Sequence, residues 1–328
     1  MRILVTGGAG FIGSAFVRNI LRNELKSSVE KLTILDSLTY AGNLQNLENT
    51  LSDKRVSFVH GDIRDRSLVD RLVSSHDQIV HFAAESHVDR SLHSPSTFIE
   101  TNIVGTASLL DALIIHAGKR MIYVSTDEVY GSVAEGRSTE KDPLNPSSPY
   151  SSSKASGDLL CIAYASSFGI DVLVTRCCNN YGPYQFPEKI IPLFVTNLLD
   201  DCALPIYGTG VNIREWIHVD DHCRALSLLL VKGKAGQIYN IGSNFTISNL
   251  ALSQKLLMML SKDDQYIEYV ADRSGHDFRY ALDSTKIIDE IGFVCDIDFA
   301  AGLDRTIAWY RHNEEWWRPL KAGSTRVR

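Results

Sequence analysis

Hydrophobic and polar positions in the first half of the chain alternate between short β-branched runs and longer amphipathic stretches. The short runs are Ile3 to Thr6, Leu32 to Leu35, Val56 to His60, Ile79 to Phe82, Met121 to Ser125 and Val172 to Arg176. Strands that alternate with amphipathic helices form βαβ units, in which a parallel sheet is covered on both faces. The pattern therefore predicts an α/β fold built on a doubly wound parallel sheet.

Beyond Arg176 the pattern becomes irregular. Loops separate its short elements at Asn179 to Pro183, Leu204 to Gly208 and Arg273 to His276. A chain of 328 residues is long enough for two lobes. We expect a first domain over 1–177, with return segments near 212–243, and a smaller second domain over 178–328. The polar end from Gly323 to Arg328 is expected to fray.

Composition and charge narrow the class of protein. Apolar residues make up 44% and charged residues 22% of the chain, which is typical of a soluble globular protein. The formal net charge is −6, and no run of Lys or Arg provides a surface for nucleic acid or an anionic membrane. Apolar stretches such as Ala225 to Val231 are shorter than the ~20 residues of a membrane span. We expect no nucleic-acid partner and no membrane segment.

Cysteine and histidine positions indicate neither disulfides nor a metal. The six cysteines show no C-x-x-C spacing, which favours the cytoplasm. Cys177 and Cys178 are interpreted as two buried small residues at a strand end, without redox activity. His218 and His222 lie four apart, but Asp220 and Asp221 between them are expected to cap and charge the start of a helix. No metal is predicted.

A glycine-rich string, Thr6-Gly7-Gly8-Ala9-Gly10-Phe11-Ile12-Gly13, follows the first predicted strand. Side chains at positions 7, 10 and 13 would keep a pyrophosphate away from the helix N-terminus. Asp36 closes the second strand, where its carboxylate can accept both hydroxyls of an adenosine ribose. Because no arginine lies between Asp36 and Tyr40 to hold a 2′-phosphate, the sequence favours NAD over NADP.

Tyr150 and Lys154 lie four residues apart, at the start of a stretch from Ser151 to Ala165 that suits a helix. Residues with this spacing share a helical face, so both side chains can enter one crevice. A phenol with a pKa near ~10 is almost entirely protonated at neutral pH. A nearby ammonium and the positive nicotinamide ring favour the phenolate. The pair therefore predicts a base that deprotonates a hydroxyl while a nicotinamide takes the hydride.

Two acids, Asp127 and Glu128, follow Thr126 after the fifth predicted strand. Oxidation of a hydroxyl does not need two neighbouring carboxylates, so the pair indicates a second step, and elimination is the leading interpretation. Adjacent residues of an extended strand face opposite sides. Both acids can reach one substrate only if the chain turns out of the strand at Thr126.

Longer strings extend these motifs over nearly the whole chain. They are Asp36-Ser37-Leu38-Thr39-Tyr40-Ala41-Gly42-Asn43, Phe82-Ala83-Ala84-Glu85-Ser86-His87-Val88-Asp89, Ser125-Thr126-Asp127-Glu128-Val129-Tyr130-Gly131, Asn179-Asn180-Tyr181-Gly182-Pro183-Tyr184 and Gly275-His276-Asp277 with Arg279-Tyr280. With them the chain resembles the extended short-chain dehydrogenase/reductase family, and within it the dTDP-glucose 4,6-dehydratases. The resemblance implies a Rossmann-type domain that binds NAD, a smaller domain that binds a nucleotide sugar, and a homodimer.

The resemblance also implies a reaction, the conversion of dTDP-glucose to dTDP-4-keto-6-deoxyglucose. Tyr150 would take the C4 hydroxyl proton while the C4 hydride passes to NAD, and Thr126 would hydrogen-bond the C4 oxygen. Glu128 would then remove the C5 proton, and Asp127 would protonate the departing C6 hydroxyl. Return of the hydride to C6 would complete the reaction, so the enzyme would be a hydro-lyase.

Further residues are implied by the same resemblance. Cofactor contacts would come from Gly7, Gly10, Phe11, Ile12, Gly13, Asp36, Ser37, Leu38, Thr39, Asp62, Ile63, Phe82, Ala83, Ala84, Ser86, Thr101, Tyr150, Lys154 and Asn180. Substrate contacts would come from Ser86, Thr126, Asn179, Lys189, Ile190, Pro205, Ile206, Tyr207, Arg214, Asn249, Arg273 and His276. Arg214 and Arg273 suit a diphosphate, because a guanidinium fork matches phosphate oxygens.

Two other functions remain open. A nucleotide-sugar 4-epimerase would share NAD and Tyr150 but would not need Asp127 and Glu128. A non-catalytic NAD-binding protein would have no reason to keep Thr126, Tyr150 and Lys154 together. The sequence does not decide whether the product of a dehydratase would enter a surface polysaccharide or a glycosylated natural product.

Overall fold

The computed structural model describes residues 1–22 and 24–324. The strands are β1 (Arg2–Thr6), β2 (Lys31–Asp36), β3 (Val56–His60), β4 (Gln78–His81), β5 (Arg120–Thr126), β6 (Asp171–Cys177), β7 (Asn179–Tyr181), β8 (Leu204–Tyr207), β9 (Ile213–His218), β10 (Ile238–Ile241), β11 (Thr246–Ser248) and β12 (Ile267–Val270). The helices are α1 (Phe11–Ile20), α2 (Glu48–Leu51), α3 (Arg66–Ser74), α4 (Val88–His93), α5 (Pro95–Phe98), α6 (Thr106–Ile115), α7 (Pro149–Phe168), α8 (Ile190–Leu199), α9 (Val219–Lys232), α10 (Asn249–Met259), α11 (Thr285–Ile291), α12 (Phe299–His312) and α13 (Glu314–Ser324). The end of the polar run expected to fray, 325–328, lies outside the described residues.

The main sheet has seven strands in the order β3-β2-β1-β4-β5-β6-β10. All its neighbouring strands pair in parallel, which confirms the predicted α/β fold. The six strands predicted from the sequence are all present, and β10 adds a seventh from the second half of the chain. Strand order reverses between β1 and β4, and in such sheets ligands bind at the carboxyl ends of the strands beside this point.

Alternate residues of each central strand pack on opposite faces of the sheet. On one face Ile3 and Val5 of β1 join a core with the buried sides of α1, α9 and α11. On the other face Leu4 of the same strand packs with α3, α6 and α7. Burial on both faces explains why these strands read as continuous apolar runs rather than as polar and apolar residues in alternation.

A separate hydrophobic core holds the second lobe. Its sheets are β11-β9-β7 and the parallel pair β12-β8. Phe194 of α8, Leu256 of α10, Leu303 of α12 and Trp317 of α13 share one buried cluster. The chain returns to the main sheet through α9, which contributes Leu226 to the core beneath α1. The two lobes therefore have separate hydrophobic cores.

One helical run has the length and composition of a membrane span, although the sequence shows no uninterrupted apolar stretch of that length. It extends over 21 residues, Pro95–Ile115, and its most apolar 18-residue window has a mean hydropathy of 1.5. The run combines α5, the π-helical segment Ile99–Gly105 and α6. Because polar residues interrupt it in the sequence, it contains no long uninterrupted apolar stretch. Half of its most apolar window is buried inside the protein, and core helices of soluble proteins meet the same criterion.

Candidate active site

The glycine loop between β1 and α1 has no room for side chains at two of its positions. A Cβ at Gly7 would lie 2.5 Å from the Ala83 nitrogen, and one at Gly13 would lie 2.3 Å from the Gly7 oxygen. At Gly10 a Cβ would meet only the Gly7 oxygen, at 3.3 Å. Gly7 and Gly13 are thus required by packing of the backbone, whereas Gly10 keeps the entrance to α1 open.

Gly10 is also the N-cap of α1, and no side chain caps this helix. The first N–H groups of a helix have no partner within it, and they form the positive end of its dipole. An uncapped N-terminus that opens onto a cleft is suited to a pyrophosphate.

Asp36 is held in place by the loops that it joins. One carboxylate oxygen accepts a hydrogen bond from the Ala9 N–H at 2.9 Å, and the other accepts one from the Leu38 N–H at 2.8 Å. Burial raises the pKa of Asp36, although the two backbone hydrogen bonds oppose the shift. Each oxygen keeps a further lone pair, so the side chain can still accept hydrogen bonds from the hydroxyls of a ribose.

These elements enclose one cleft of about 390 Å³ at the switch point of the sheet. Every residue predicted to be catalytic lines it: Thr126, Asp127, Glu128, Tyr150 and Lys154. Every residue predicted to contact the cofactor also lines it except Leu38, whose N–H supports Asp36 instead. Of the predicted substrate contacts, Ser86, Thr126, Asn179, Lys189 and Ile190 line the cleft, whereas Pro205, Ile206, Tyr207, Arg214, Asn249, Arg273 and His276 do not.

Asp127 and Glu128 both face the cleft because the chain turns after Thr126. Strand β5 ends at Thr126, and a 3-10 turn begins at Asp127. The Thr126 hydroxyl donates to Asp127 Oδ1 at 3.1 Å and accepts from the Glu128 N–H at 3.3 Å. The turn that the two acids require is therefore present, and Thr126 is the residue that stabilises it.

The two acids have different surroundings. Asp127 is 3% exposed, and one of its oxygens is buried without a hydrogen-bond partner among the described residues. Burial, followed by the charge of Glu128, raises the pKa of Asp127 well above its ordinary value. Burial also raises the pKa of Glu128, but the cations of Arg273 and Lys189 oppose the shift. Asp127 is suited to donate a proton, and Glu128 to accept one.

Tyr150 lies in the first turn of α7, whose start is fixed by a capping box between Ser148 and Ser151. Lys154, one turn later, donates from Nζ to the Val124 oxygen at 2.7 Å. Burial lowers the pKa of Lys154 to about 8, although the charge of Asp158 opposes the shift. Burial raises the pKa of Tyr150 well above its ordinary value, and the two nearby carboxylates add to this effect. Both effects favour the protonated form of Tyr150.

The two predicted phosphate-binding arginines lie beyond the acid end of the cleft. Arg214 donates to the backbone oxygens of Ile213, Phe278 and Asp277, so both of its terminal nitrogens are already engaged. Arg273 approaches Asp89 at 3.6 Å, and its Nε is buried without a partner among the described residues. Both cations lower the pKa of Glu128 and are therefore electrostatically coupled to the site. Arg273 has the more available donors.

The sequence reasoning missed a cluster at the mouth of the cleft. Glu188 accepts hydrogen bonds from Arg90 at 3.0 and 3.1 Å, and the Arg90 guanidinium lies 3.9 Å from the centre of the Tyr40 ring. Tyr40 and Glu188 line the cleft. Glu188 precedes the predicted substrate residue Lys189, but no spacing in the sequence links it to Arg90. Arg90 and Glu188 are far apart in the sequence and come into contact only in the folded chain.

The start of α9 differs in part from the expectation that Asp220 and Asp221 cap and charge it. His218, rather than either aspartate, is the N-cap, and its side chain accepts from the Asp220 N–H at 3.2 Å. Asp220 and Asp221 do lie in the first turn. In the described part of the chain, no group of three His, Cys, Asp or Glu residues could hold a metal.

Comparisons with known proteins agree with this geometry. Residues 4–306 match the sequence model of a family described as GDP-mannose 4,6 dehydratase. A dTDP-glucose 4,6-dehydratase from Streptomyces niveus is 53% identical over 98% of this chain and 96% of its own length. The crystal structure of DesIV, a dTDP-glucose 4,6-dehydratase from Streptomyces venezuelae with NAD and TYD bound, has a TM-score of 0.96 and 55% identity. That match covers 98% of this chain and 100% of the other.

A solved structure with another activity has the same architecture. A UDP-glucose 4-epimerase from Thermotoga maritima, with UDP-glucose, has a TM-score of 0.88 and 29% identity, and covers 96% of this chain. All of that chain is covered in turn. The fold alone is therefore shared by proteins of different activity, and the side chains of the cleft must distinguish them.

Proposed function

The chain belongs to the family of NAD-dependent nucleotide-sugar 4,6-dehydratases, and we propose that it converts dTDP-glucose to dTDP-4-keto-6-deoxyglucose. The observation that carries this proposal is the pair Asp127 and Glu128, an acid and a base in one cleft with Tyr150. An epimerase oxidises and reduces C4 only and has no step for the two carboxylates. Elimination of water needs both, one at C5 and one at the C6 oxygen.

Each of these residues is assigned to one step of the reaction. NAD, when bound, accepts the hydride from C4 and returns it to C6. Tyr150 takes the proton of the C4 hydroxyl, and Thr126 holds the C4 oxygen by a hydrogen bond. Lys154 supplies the positive charge that favours the phenolate. Glu128 removes the C5 proton, which the C4 carbonyl has made acidic, and Asp127 protonates the C6 oxygen as it leaves.

We assign the cofactor to the domain formed by 1–177 with return segments near 212–243, and the nucleotide sugar to 178–328. The open N-terminus of α1 and the Asp36 carboxylate fit the pyrophosphate and the ribose of NAD. Lys189 lies in the cleft and Arg273 beyond it, and together they suit the diphosphate of the substrate. The TYD-bound relative supports a dTDP sugar.

The protein is proposed to act as a cytoplasmic homodimer. All six cysteines are free thiols, four of them buried, which suits a reducing compartment. The helices α6 and α7 pack together and expose Ile115, Leu159 and Phe168, apart from the cleft. Exposed apolar side chains on neighbouring helices favour association with a second copy.

The proposal is tested with dTDP-glucose that carries deuterium at C4. Deuterium at C6 of a 4-keto product is the expected result, because the hydride removed from C4 returns to C6. An intact C6 hydroxyl with inverted C4 would instead identify an epimerase. Binding of NAD without conversion of any nucleotide sugar would identify a non-catalytic protein.

A further inference from the structure

Cys177 is a buried nucleophile that the proposed dehydration does not use. It is the last residue of β6 and pairs in register with Thr126 of β5, so it lies beside the catalytic turn. The residue lines the cleft and is 4% exposed. A thiol at this point would meet whatever enters the site.

An amide and an imidazole connect to this sulfur. Asn180 donates from Nδ2 to Cys177 Sγ at 3.3 Å and to the Cys178 oxygen at 3.0 Å, and the carbonyl contact fixes the orientation of the amide. Asn180 Oδ1 therefore faces His222 Nδ1, at 2.9 Å. Because an amide oxygen can only accept, Nδ1 carries the proton and Nε2 keeps the basic lone pair.

His222 Nε2 is available as a base. The ring is fully buried and lines the same cleft as Cys177, and Nε2 has no hydrogen bond of standard geometry among the described residues. A thiol, an imidazole and an amide that orients the imidazole are the parts of an activated cysteine. Cys177 and Cys178 are both buried at the end of β6, as expected, but only Cys177 has these two contacts.

The electrostatic surroundings distinguish the two sulfurs. Burial by itself raises the pKa of a thiol, but contacts with Cys178, His222 and Asn180 outweigh it and lower the pKa of Cys177. Burial raises the pKa of Cys178 well above its ordinary value. The other titratable groups that act on this pair are Asp127 after β5, Glu215 on β9, Cys223 on α9 and Cys295 after α11.

We propose that Cys177 is a covalent modification site for small soft electrophiles, activated by His222 and accessible only while NAD is absent from the cleft. With iodoacetamide as the probe, the sulfur bonds to the methylene carbon, the carbon–iodine bond breaks and iodide leaves. The thiol proton passes to His222 Nε2. Bound NAD fills the cleft and excludes the reagent, so the cofactor protects the site.

The test compares labelling of Cys177 and of the exposed Cys202 in the same full-length protein. Iodoacetamide is applied with and without saturating NAD at about pH 6.5, where an ordinary thiol of pKa ~8.5 is almost entirely protonated. Labelling is quantified by peptide mass spectrometry. Without NAD, Cys177 is expected to react about tenfold faster than Cys202, and NAD should slow Cys177 alone by about tenfold.

Two variants separate activation from burial. His222→Asn should slow labelling of Cys177 to the rate of Cys202, with the Cys202 rate unchanged and folding verified by the melting temperature. Cys178→Ser should keep labelling of Cys177 faster than that of Cys202, because the serine hydroxyl can replace the contact that the Cys178 thiol makes. Labelling of Cys177 only after denaturation, equal rates with and without NAD, or preferential labelling of Cys178 would each overturn the proposal. The protection rests on the proposed binding of NAD, so NAD binding is measured separately by titration: equal rates with NAD bound overturn this proposal, whereas absence of binding contradicts the proposed function.

Discussion

The different surroundings of the neighbouring carboxyl groups of Asp127 and Glu128 fit the opposite roles proposed for them. Asp127 is the more buried of the two, and the charge of Glu128 further favours its protonated form. Glu128 lies within the field of Arg273 and Lys189, which favour its ionised form. Two titratable groups whose surroundings separate their pKa values are a pattern typical of paired acid and base catalysis.

Glu128→Gln is expected to abolish removal of the C5 proton while NAD still binds. The amide has nearly the same size as the carboxylate but cannot accept the proton. A positioned general base contributes about 10²- to 10⁴-fold, so kcat should fall by that factor. The measurement is turnover of dTDP-glucose together with exchange of the C5 hydrogen into deuterated water. Full activity would remove Glu128 from its role.

Asp127→Asn provides the matched comparison, because it alters the acid rather than the base. The variant should still exchange the C5 hydrogen, since Glu128 and Tyr150 are intact, but should release water about 10²-fold or more slowly. Exchange at C5 is followed by nuclear magnetic resonance, and product by chromatography. If both variants lost exchange equally, the two acids would act as one unit and the separate roles would be wrong.

At the scale of elements, α7 carries its functional groups on one face at successive turns. Tyr150, Lys154 and Asp158 are spaced four apart, and all three are buried. Asp158 accepts from Arg176 at 2.8 Å in an ion pair that is almost fully buried. Its charge also raises the pKa of Lys154 against the effect of burial. The carboxylate thus favours the charged form of the Lys154 ammonium, which is proposed to act in catalysis.

Asp158→Asn is expected to narrow the pH range of activity from the alkaline side. Without the carboxylate, the pKa of Lys154 falls below about 8, so the ammonium is lost at lower pH. The alkaline limb of kcat/KM should move down by about one pH unit. The measurement is a pH profile of kcat/KM for dTDP-glucose, over a range in which the protein stays folded.

Two further variants separate this effect from lost stability. Asp158→Asn leaves Arg176 buried without its partner, which costs about 3–5 kcal/mol in the free energy of unfolding. Asp158→Glu keeps the charge and should keep the alkaline limb in place even if packing suffers. Asp304→Asn removes an exposed charge on α12 and should change neither quantity. If the alkaline limb of the kcat/KM profile also moved in Asp158→Glu, the cause would be distortion of the site rather than loss of the negative charge.

The N-terminus of α1 gives a second prediction at this scale. Gly10→Ala adds a methyl group where the protein itself offers only the Gly7 oxygen at 3.3 Å, so the melting temperature without NAD should change little. The methyl occupies the approach to the helix N-terminus, and the Kd for NAD should rise about tenfold or more. Gly13→Ala would contact the Gly7 oxygen at 2.3 Å and should lower the melting temperature itself. Equal decreases in the melting temperatures of Gly10→Ala and Gly13→Ala would contradict the different roles given to the two glycines.

Local sequence patterns predicted the strands and helices around the cleft. They did not predict contacts between residues that are far apart in the chain. The strand ends near Thr6, Asp36 and Thr126 follow from apolar runs and from strings whose residues are close in sequence. The contact between Arg90 and Glu188 joins segments far apart in the chain, and periodicity carries no information about such pairs. His218 as the cap of α9 was missed for a different reason, because histidine is not among the residues that ordinarily cap helices.

At the scale of the whole molecule, the cleft lies between two hydrophobic cores. Some apolar side chains on α6 and α7 belong to neither core and are exposed. Helix α7 runs from Tyr150 in the cleft to Phe168, which is 57% exposed, and Leu159 between them is 58% exposed. Ile115, at the end of α6, is 69% exposed. The helix that positions Tyr150 and Lys154, the proposed catalytic pair, thus continues to the surface proposed for the dimer.

Leu159→Glu is expected to convert the proposed dimer into monomers. A carboxylate buried in an apolar interface without a partner costs several kcal/mol, and each 1.4 kcal/mol raises the dissociation constant about tenfold. Sedimentation velocity at several protein concentrations measures the change. Met258→Glu is the matched control, because Met258 is 70% exposed on α10 in the second lobe and should leave the dimer intact. A monomeric wild-type protein, or dissociation by Met258→Glu rather than by Leu159→Glu, would place the interface elsewhere or remove it. Because a dimer is stabilised by mass action, the melting temperature of the wild type should also rise with concentration, and that of Leu159→Glu should not.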